Sequence, residues 1–203
     1  MTSVQHVHSS KPRKEVVSAL RGRGYQMIGD GAFSRVYAKK GKNTVIKIGM
    51  LEENYDCEGY VTDKCEPDGY LQFITRAIKK KNNPWLPVVH SIKIVQFPLV
   101  KRKKTHYWGY YIIKIERLIH ICEKNRQLIR ELESAAKTVN NPSKTKMWYR
   151  LPITTKRWDP KLKAALKIIN QIVCNGDCLD YDIHDANVMK RKNGQLVLTD
   201  PIA

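Results

Sequence analysis

Short apolar runs separated by glycine and lysine turns fill the first half of the chain, and longer runs of helical spacing fill the second. Residues 14–21 put Val16, Val17 and Leu20 on one helical face, which Gly22 and Gly24 close. Apolar runs at 25–28 and 33–37 flank the pair Gly29 and Gly31, the pattern of a β-hairpin with a flexible tip. After a turn at 41–43, residues 44–48 form a third β-branched strand. Residues 51–66 are irregular and acidic. A helix is predicted to begin near Asp68, with Leu71, Ile74 and Ile78 along one face and Phe73 and Ala77 beside it, ending at 79–84. Residues 86–97 and 107–116 read as strands joined by a basic tip at 101–104.

A third helix is predicted over 124–139, with Leu128, Ile129, Leu132, Ala135 and Ala136 on one stripe and Asn140-Asn141-Pro142 ending it. A basic, aromatic connection over 144–158 carries Trp148, Tyr149 and Trp158. Asp159-Pro160 supplies an N-cap followed by proline at the first helical position. The helix after it repeats apolar residues at Leu162, Ala165, Leu166, Ile169, Ile172 and Val173, and Gly176 closes it.

The stretch with the most chemistry comes last. Asp182 stands five residues before Asn187, short apolar runs flank both, a turn at 192–194 joins two strand-like segments, and the second ends on Asp200. Phosphoryl transfer needs a carboxylate beside the attacking hydroxyl, with an amide oxygen and a second carboxylate for Mg²⁺, and this spacing provides that set. Upstream, Gly29 and Gly31 lack side chains, so backbone N–H groups there can approach phosphate oxygens. The turn at 41–43 leaves no room for the helix that a Walker loop or Rossmann fingerprint would open. Lys47 lies within a β-branched run, where a solvent-facing lysine is the ordinary explanation. Beside a glycine hairpin it is also placed to neutralise phosphates. Asp68 either caps its helix or is the acid that pairs with Lys47, with Glu66 the second choice.

Composition narrows the class. The chain has 203 residues, 42% hydrophobic and 28% charged, a globular composition with enough length for two small lobes. The formal net charge of +18 favours polyanion partners, and nucleic acid is open through the basic surface. Five cysteines at irregular spacings form no CxxC pair, which suits thiols in a reducing cytoplasm. No apolar run approaches the ~20 residues of a membrane span, and the polar N-terminus lacks a signal-peptide core. Residues 1–13, with His6 and His8, read as a mobile basic tail.

The order of parts resembles the protein-kinase-like fold. Gly29-x-Gly31-x-x-Ser34-x-Val36 is similar to its glycine-rich loop, with Ser34 at the third glycine's place. Val45-Ile46-Lys47 is similar to the strand-three lysine motif, Asp182 to Asn187 to the catalytic loop, and Asp200-Pro201-Ile202 falls at the Asp-Phe-Gly position. His184 resembles the histidine of the aminoglycoside-phosphotransferase branch. Residues 24–34, 45–49, 182–189 and 199–201 together resemble the early serine/threonine protein kinases of T-seven-type bacteriophages, over roughly residues 24–203.

The resemblance implies an α+β, minimal bilobal protein-kinase-like fold: a tail at 1–13, an N-lobe at 14–116 with an antiparallel sheet and one helix, and a truncated helical C-lobe at 117–203. It implies ATP and Mg²⁺ as cofactors. By position, Asp182 would orient or deprotonate the substrate hydroxyl, and Asn187 and Asp200 would hold the metal. Lys47 would clamp the phosphates under a hairpin formed by Gly29, Gly31, Ser34 and Val36, and His184 would reach the γ-phosphate. Three departures stand out. Asp180-Tyr181 replaces the usual His-Arg, Asp185 adds negative charge, and three residues follow Asp200 where the family has an activation segment and a peptide-binding platform. The implied activity is a protein serine/threonine kinase in the bacterial host cytoplasm, acting on host proteins and on itself. The alternative is a weak or inactive kinase-like protein that inhibits a host enzyme or defence complex by docking. A small-molecule phosphotransferase is a third reading.

Overall fold

The structure, a computed structural model, describes residues 4–8, 13–31, 34–51, 69–80, 82–101, 104–121, 126–139, 151, 158–175 and 179–202. It is a mixed helix-and-sheet protein whose chain divides into two compact units. One comprises Met1–Glu66 and Val88–Arg117; the other comprises Pro67–Pro87 and Leu118–Ala203.

Among the described residues the first unit is a six-stranded sheet with one helix. The elements are β1 (Val4–His8), α1 (Arg13–Gly22), β2 (Gln26–Asp30), β3 (Ser34–Ala38), β4 (Thr44–Leu51), β5 (Val89–Lys101) and β6 (Lys104–Glu116). Strand order is β1-β5-β6-β4-β3-β2. Every pairing is antiparallel except that of β1 with β5, which is parallel. Residues 4–8 are therefore a strand rather than a mobile tail. Their pairing with residues 92–96 is long-range, and a polar stretch of five residues carries no local signal of it.

β5 and β6 each run 13 residues, extending the expected strands to the 101–104 tip. Pro98 sits in β5 opposite Tyr107, two residues past the last β1 partner at Gln96, so its missing N–H interrupts no ladder on that side. α1 turns Leu20 onto Tyr37, Ile48, Val95 and Tyr110, with Val16 and Val17 packed beside them. This is the helical face that the spacing of Val16, Val17 and Leu20 predicts.

The second unit holds α2 (Gly69–Ala77), α3 (Arg126–Val139), α4 (Pro160–Val173), and a hairpin of β7 (Val188–Lys190) with β8 (Leu196–Leu198), preceded by a single 3₁₀ turn at Asp185–Asn187. Leu71, Phe73, Ile74 and Ala77 of α2 are buried, as are Leu162, Ala165, Leu166, Ile169, Ile172 and Val173 of α4, and the two helices pack together. The sequence reading counts the 68–78 helix with the N-terminal sheet. Its contacts group it with α4 instead, and Gly69 at its start packs so closely on Ile202 that a Cβ would lie 2.5 Å from Ile202 Cγ2.

α4 begins as its sequence predicts: Asp159 is the N-cap, its Oδ1 accepting the Lys161 N–H at 2.7 Å, and Pro160 follows. Glu66 and Asp68, the choices for a Lys47 partner, lie outside the described residues, as do Gly176, Trp148, Tyr149 and every cysteine but Cys174.

Candidate functional site

In the first unit the register gathers the glycine-hairpin residues. Lys47 pairs with Val36 on one side and Ile113 on the other, Ser34 pairs with Gly49, and Gly29 pairs with Val36. Side chains alternate across a strand, so Gly29, Ser34, Val36 and Lys47 share the sheet face opposite α1. Lys47 is half-buried there. On the same face Tyr111 lies over Gly49, where a Cβ would come within 1.9 Å of the tyrosine Cζ. A bulge at Ile28 separates the Met27 and Gly29 pairs and sharpens the hairpin's twist.

The hairpin tip is closed by Gly31, whose N–H donates to the Ser34 carbonyl at 2.8 Å. Neither Gly29 nor Gly31 has positive φ, and a Cβ on Gly29 would meet Val36 at an ordinary 3.6 Å. This backbone alone does not demand glycine at either place. On the strands below the tip, Asp30 and Arg35 form an exposed ion pair at 3.0 Å, and the carboxylate raises the Arg35 pKa above its usual value by hydrogen bonding and charge.

In the second unit the loop from 182 to 187 folds back on itself. The Asn187 Nδ2 donates to the Asp182 carboxylate at 2.7 Å and to the Asp182 carbonyl at 2.9 Å. The two amide hydrogens are thereby engaged, and the Asn187 side-chain oxygen is left out of both bonds. His184 caps the 3₁₀ turn: its Nδ1 accepts the Ala186 N–H at 3.2 Å. That bond assigns the ring proton to Nε2, which stands 3.3 Å from the other Asp182 oxygen. The 3.0 Å approach of Nε2 to Asn187 Nδ2 is then a contact between two donors serving one carboxylate.

Asp200 is held beside this loop by the backbone. The Thr199 N–H and hydroxyl both donate to the Asn187 carbonyl at 2.9 Å, and the Asp182 N–H donates to the Pro201 carbonyl at 2.9 Å. Asp200 sits between these two ties. An isolated bridge from Tyr181 to Ile202 extends the pairing by one residue at each end. Asp182, Asn187 and Asp200 are half-buried, and Asp185 is exposed.

The support beneath the loop was not read from the sequence. Asn170, 5% exposed in the last turn of α4, accepts from the Leu151 N–H at 3.1 Å and the Tyr181 hydroxyl at 2.9 Å, and its Nδ2 donates to the Leu151 carbonyl at 3.2 Å. A lone asparagine in an apolar stripe was the available signal, since such a residue needs buried partners. Arg191, at the end of β7, donates to the carbonyls of Pro84 at 2.6 Å and Leu86 at 3.0 Å, while the Leu198 N–H donates to the Trp85 carbonyl at 2.9 Å. Residues 83–86 thus form a strap on the β7–β8 hairpin. Its other side is fastened to α4 by Trp85 Nε1 on Asp159 at 3.0 Å and Asn83 Nδ2 on the Lys161 carbonyl at 2.8 Å. The Trp85 and Lys161 N–H bonds hold the Asp159 carboxyl below its ordinary pKa.

The donors expected for Mg²⁺, the Asn187 amide oxygen and the Asp200 carboxylate, are hard oxygen ligands of the type that ion takes. The Asn187 oxygen is unengaged by Asp182, and the Thr199 ties keep both residues on one short stretch of paired backbone. The residues present fit the ion. Among the described residues no group of three His, Cys, Asp or Glu side chains is arranged to hold a metal. No described helix is long and apolar enough to cross a membrane.

No family model matches the chain, and no curated protein matches it. Among solved structures it is similar to one described as the ROP18 kinase domain in complex with AMP-PNP and sucrose, at 16% identity and a TM-score of 0.33. The match covers 85% of this chain and 48% of that one, so the chain spans about half the length of the kinase domain to which it is similar.

Proposed function

We propose that the protein is an ATP-dependent phosphotransferase of the protein-kinase type, and more narrowly a phage-type serine/threonine kinase that phosphorylates host proteins and itself. The observation that carries this is the contact of Asn187 with Asp182 across five residues, with Asp200 tied to the same loop through Thr199 and Pro201. An acid and an amide in contact, with a second acid on backbone paired to the same loop, support phosphoryl-transfer chemistry.

In this reading Asp182 accepts the proton of the attacking hydroxyl. Asn187 and the Nε2–H of His184 fix the orientation of its carboxylate, one on each oxygen. Asn187 and Asp200 would hold Mg²⁺, which when bound neutralises phosphate charge. Lys47, on the same sheet face as Gly29, Ser34 and Val36, is the proposed phosphate-binding lysine. Asp68 remains the proposed partner of Lys47. Incubation with γ-labelled ATP, Mg²⁺ and host lysate tests the proposal: label should enter protein bands with the native chain and be lost with Asp182→Asn and with Lys47→Met. Absence of labelling by the native chain, folded by circular dichroism, would overturn it.

The docking-inhibitor reading draws support from the hairpin tip, where the Gly31 N–H is already bonded to Ser34. It predicts that Asp182→Asn abolishes labelling and leaves the biological effect of the protein intact.

A further inference from the structure

A groove of about 600 Å³ lies within the second unit, between the end of α2 and the outer face of α4. Lys161, Ala164, Ile168 and Gln171 follow a 3-4-3 spacing along one face of α4 and form one side, with Lys167 beside them. Lys79, Lys80 and Asn82 form the other. Among the described residues four lysines line it and no carboxylate does. The nearest acid in sequence, Asp159, is engaged by the Trp85 indole and the Lys161 N–H. The walls are fixed: Asn83 bridges them through its bond to the Lys161 carbonyl, and its Oδ1 accepts the Trp85 N–H at 3.0 Å. Ile168, 8% exposed, is an apolar floor between the lysine heads.

We propose that this groove is a docking site for an acidic peptide segment of a partner protein, one rich in Asp and Glu. Charge complementarity argues for an anionic occupant, since four ammonium groups around one floor with no internal acid repel one another until an anion enters. The lining argues for peptide over nucleic acid. Among the described residues it holds no aromatic ring and no arginine on which a base could stack. Asn82 and Gln171 carry both donors and acceptors, which suit the N–H and C=O groups of a peptide backbone, and Ile168 and Ala164 suit its aliphatic side chains. The proposal is independent of phosphoryl transfer.

The test measures binding of a fluorescein-labelled twelve-residue Glu/Asp-rich peptide to the full chain by anisotropy. A neutral Gln/Asn peptide of the same length and a twelve-nucleotide single-stranded RNA serve as competitors. Because a chain of +18 attracts any polyanion, the comparison is between charge reversals of equal size. Lys80→Glu and Lys167→Glu are set against Lys192→Glu, an exposed turn residue of the same unit outside the groove. The groove variants should weaken peptide binding about threefold to tenfold more than the control, the scale of one or two surface ion pairs. Lys80→Gln and Lys167→Gln should give the same ranking with smaller effects, and melting curves should show each variant folded. Equal weakening by Lys192→Glu, or RNA displacing the peptide at lower concentration than unlabelled peptide does, would overturn the proposal.

Discussion

Asn187 Nδ2 lies 2.7 Å from one Asp182 oxygen, and His184 Nε2 lies 3.3 Å from the other. The carboxylate is thus held from both sides by residues of its own loop. Converting Asp182 to Asn removes the proton acceptor and keeps the shape. Phosphoryl transfer should fall by about 10²–10⁴-fold, the usual worth of a positioned base, with the melting temperature nearly unchanged. Initial rates with labelled ATP beside a thermal melt check this.

Asn170 is the polar peg under the loop. Asn170→Ala strands the Leu151 N–H and carbonyl and the Tyr181 hydroxyl in the core, and should destabilise the fold by about 3 kcal/mol. Tyr181→Phe removes one donor and leaves Asn170 with the Leu151 bonds, so about 1 kcal/mol is expected. Urea unfolding of the two variants gives the ratio, and equal losses would contradict the hydrogen-bond assignment.

Arg191 ties the β7–β8 hairpin to the 83–86 strap with two charge-assisted bonds. Arg191→Ala should cost about 2 kcal/mol, and Arg191→Lys should recover only part of it, because one ammonium does not reproduce a guanidinium's fixed fork. Urea denaturation followed by circular dichroism measures both losses.

Asp159 gives the fold a pH-dependent element. Its folded pKa is depressed, first by the Trp85 indole bond and then by the Lys161 N–H, so its stabilising effect is complete at neutral pH and is lost as pH falls through the folded value. Asp159→Ala should cost about 1 kcal/mol at pH 7, the worth of an N-cap. The gap between variant and native chain should stay level down to the ordinary carboxylate range near pH 4 and close below it. Melts from pH 7 to pH 3 show whether it does.

Gly49 is required by Tyr111, its cross-strand neighbour, which is 1% exposed and occupies the space of the missing Cβ. Gly49→Ala must displace that ring and should destabilise the fold by about 1–3 kcal/mol. Tyr111→Leu in the same chain should recover part of the loss, a coupling that a double-mutant cycle measures.

What could be read in advance was local. Asp159-Pro160 announces a helix start because capping involves residues two apart, and the α4 stripe announces its buried face because its period is helical. The Asp182–Asn187 spacing was legible because both ends sit on one short loop, and the side-chain contact between them was not. The β1 strand was not, since only its partner at 92–96 makes it a strand, and the company kept by α2 was not, since an apolar face does not say what covers it. The α4 groove escaped for a related reason. Lys79 and Lys161 stand far apart in the chain, and each reads singly as an exposed helix-end lysine until folding sets them round one floor.

The bond from Gly31 to the Ser34 carbonyl makes the hairpin tip a latch that is shut at rest. A phosphate oxygen reaching for that N–H must displace a neutral carbonyl. It does so at an advantage, because a hydrogen bond to an anion is roughly twice as strong. Under the proposed function, nucleotide affinity would carry the cost of opening this backbone bond.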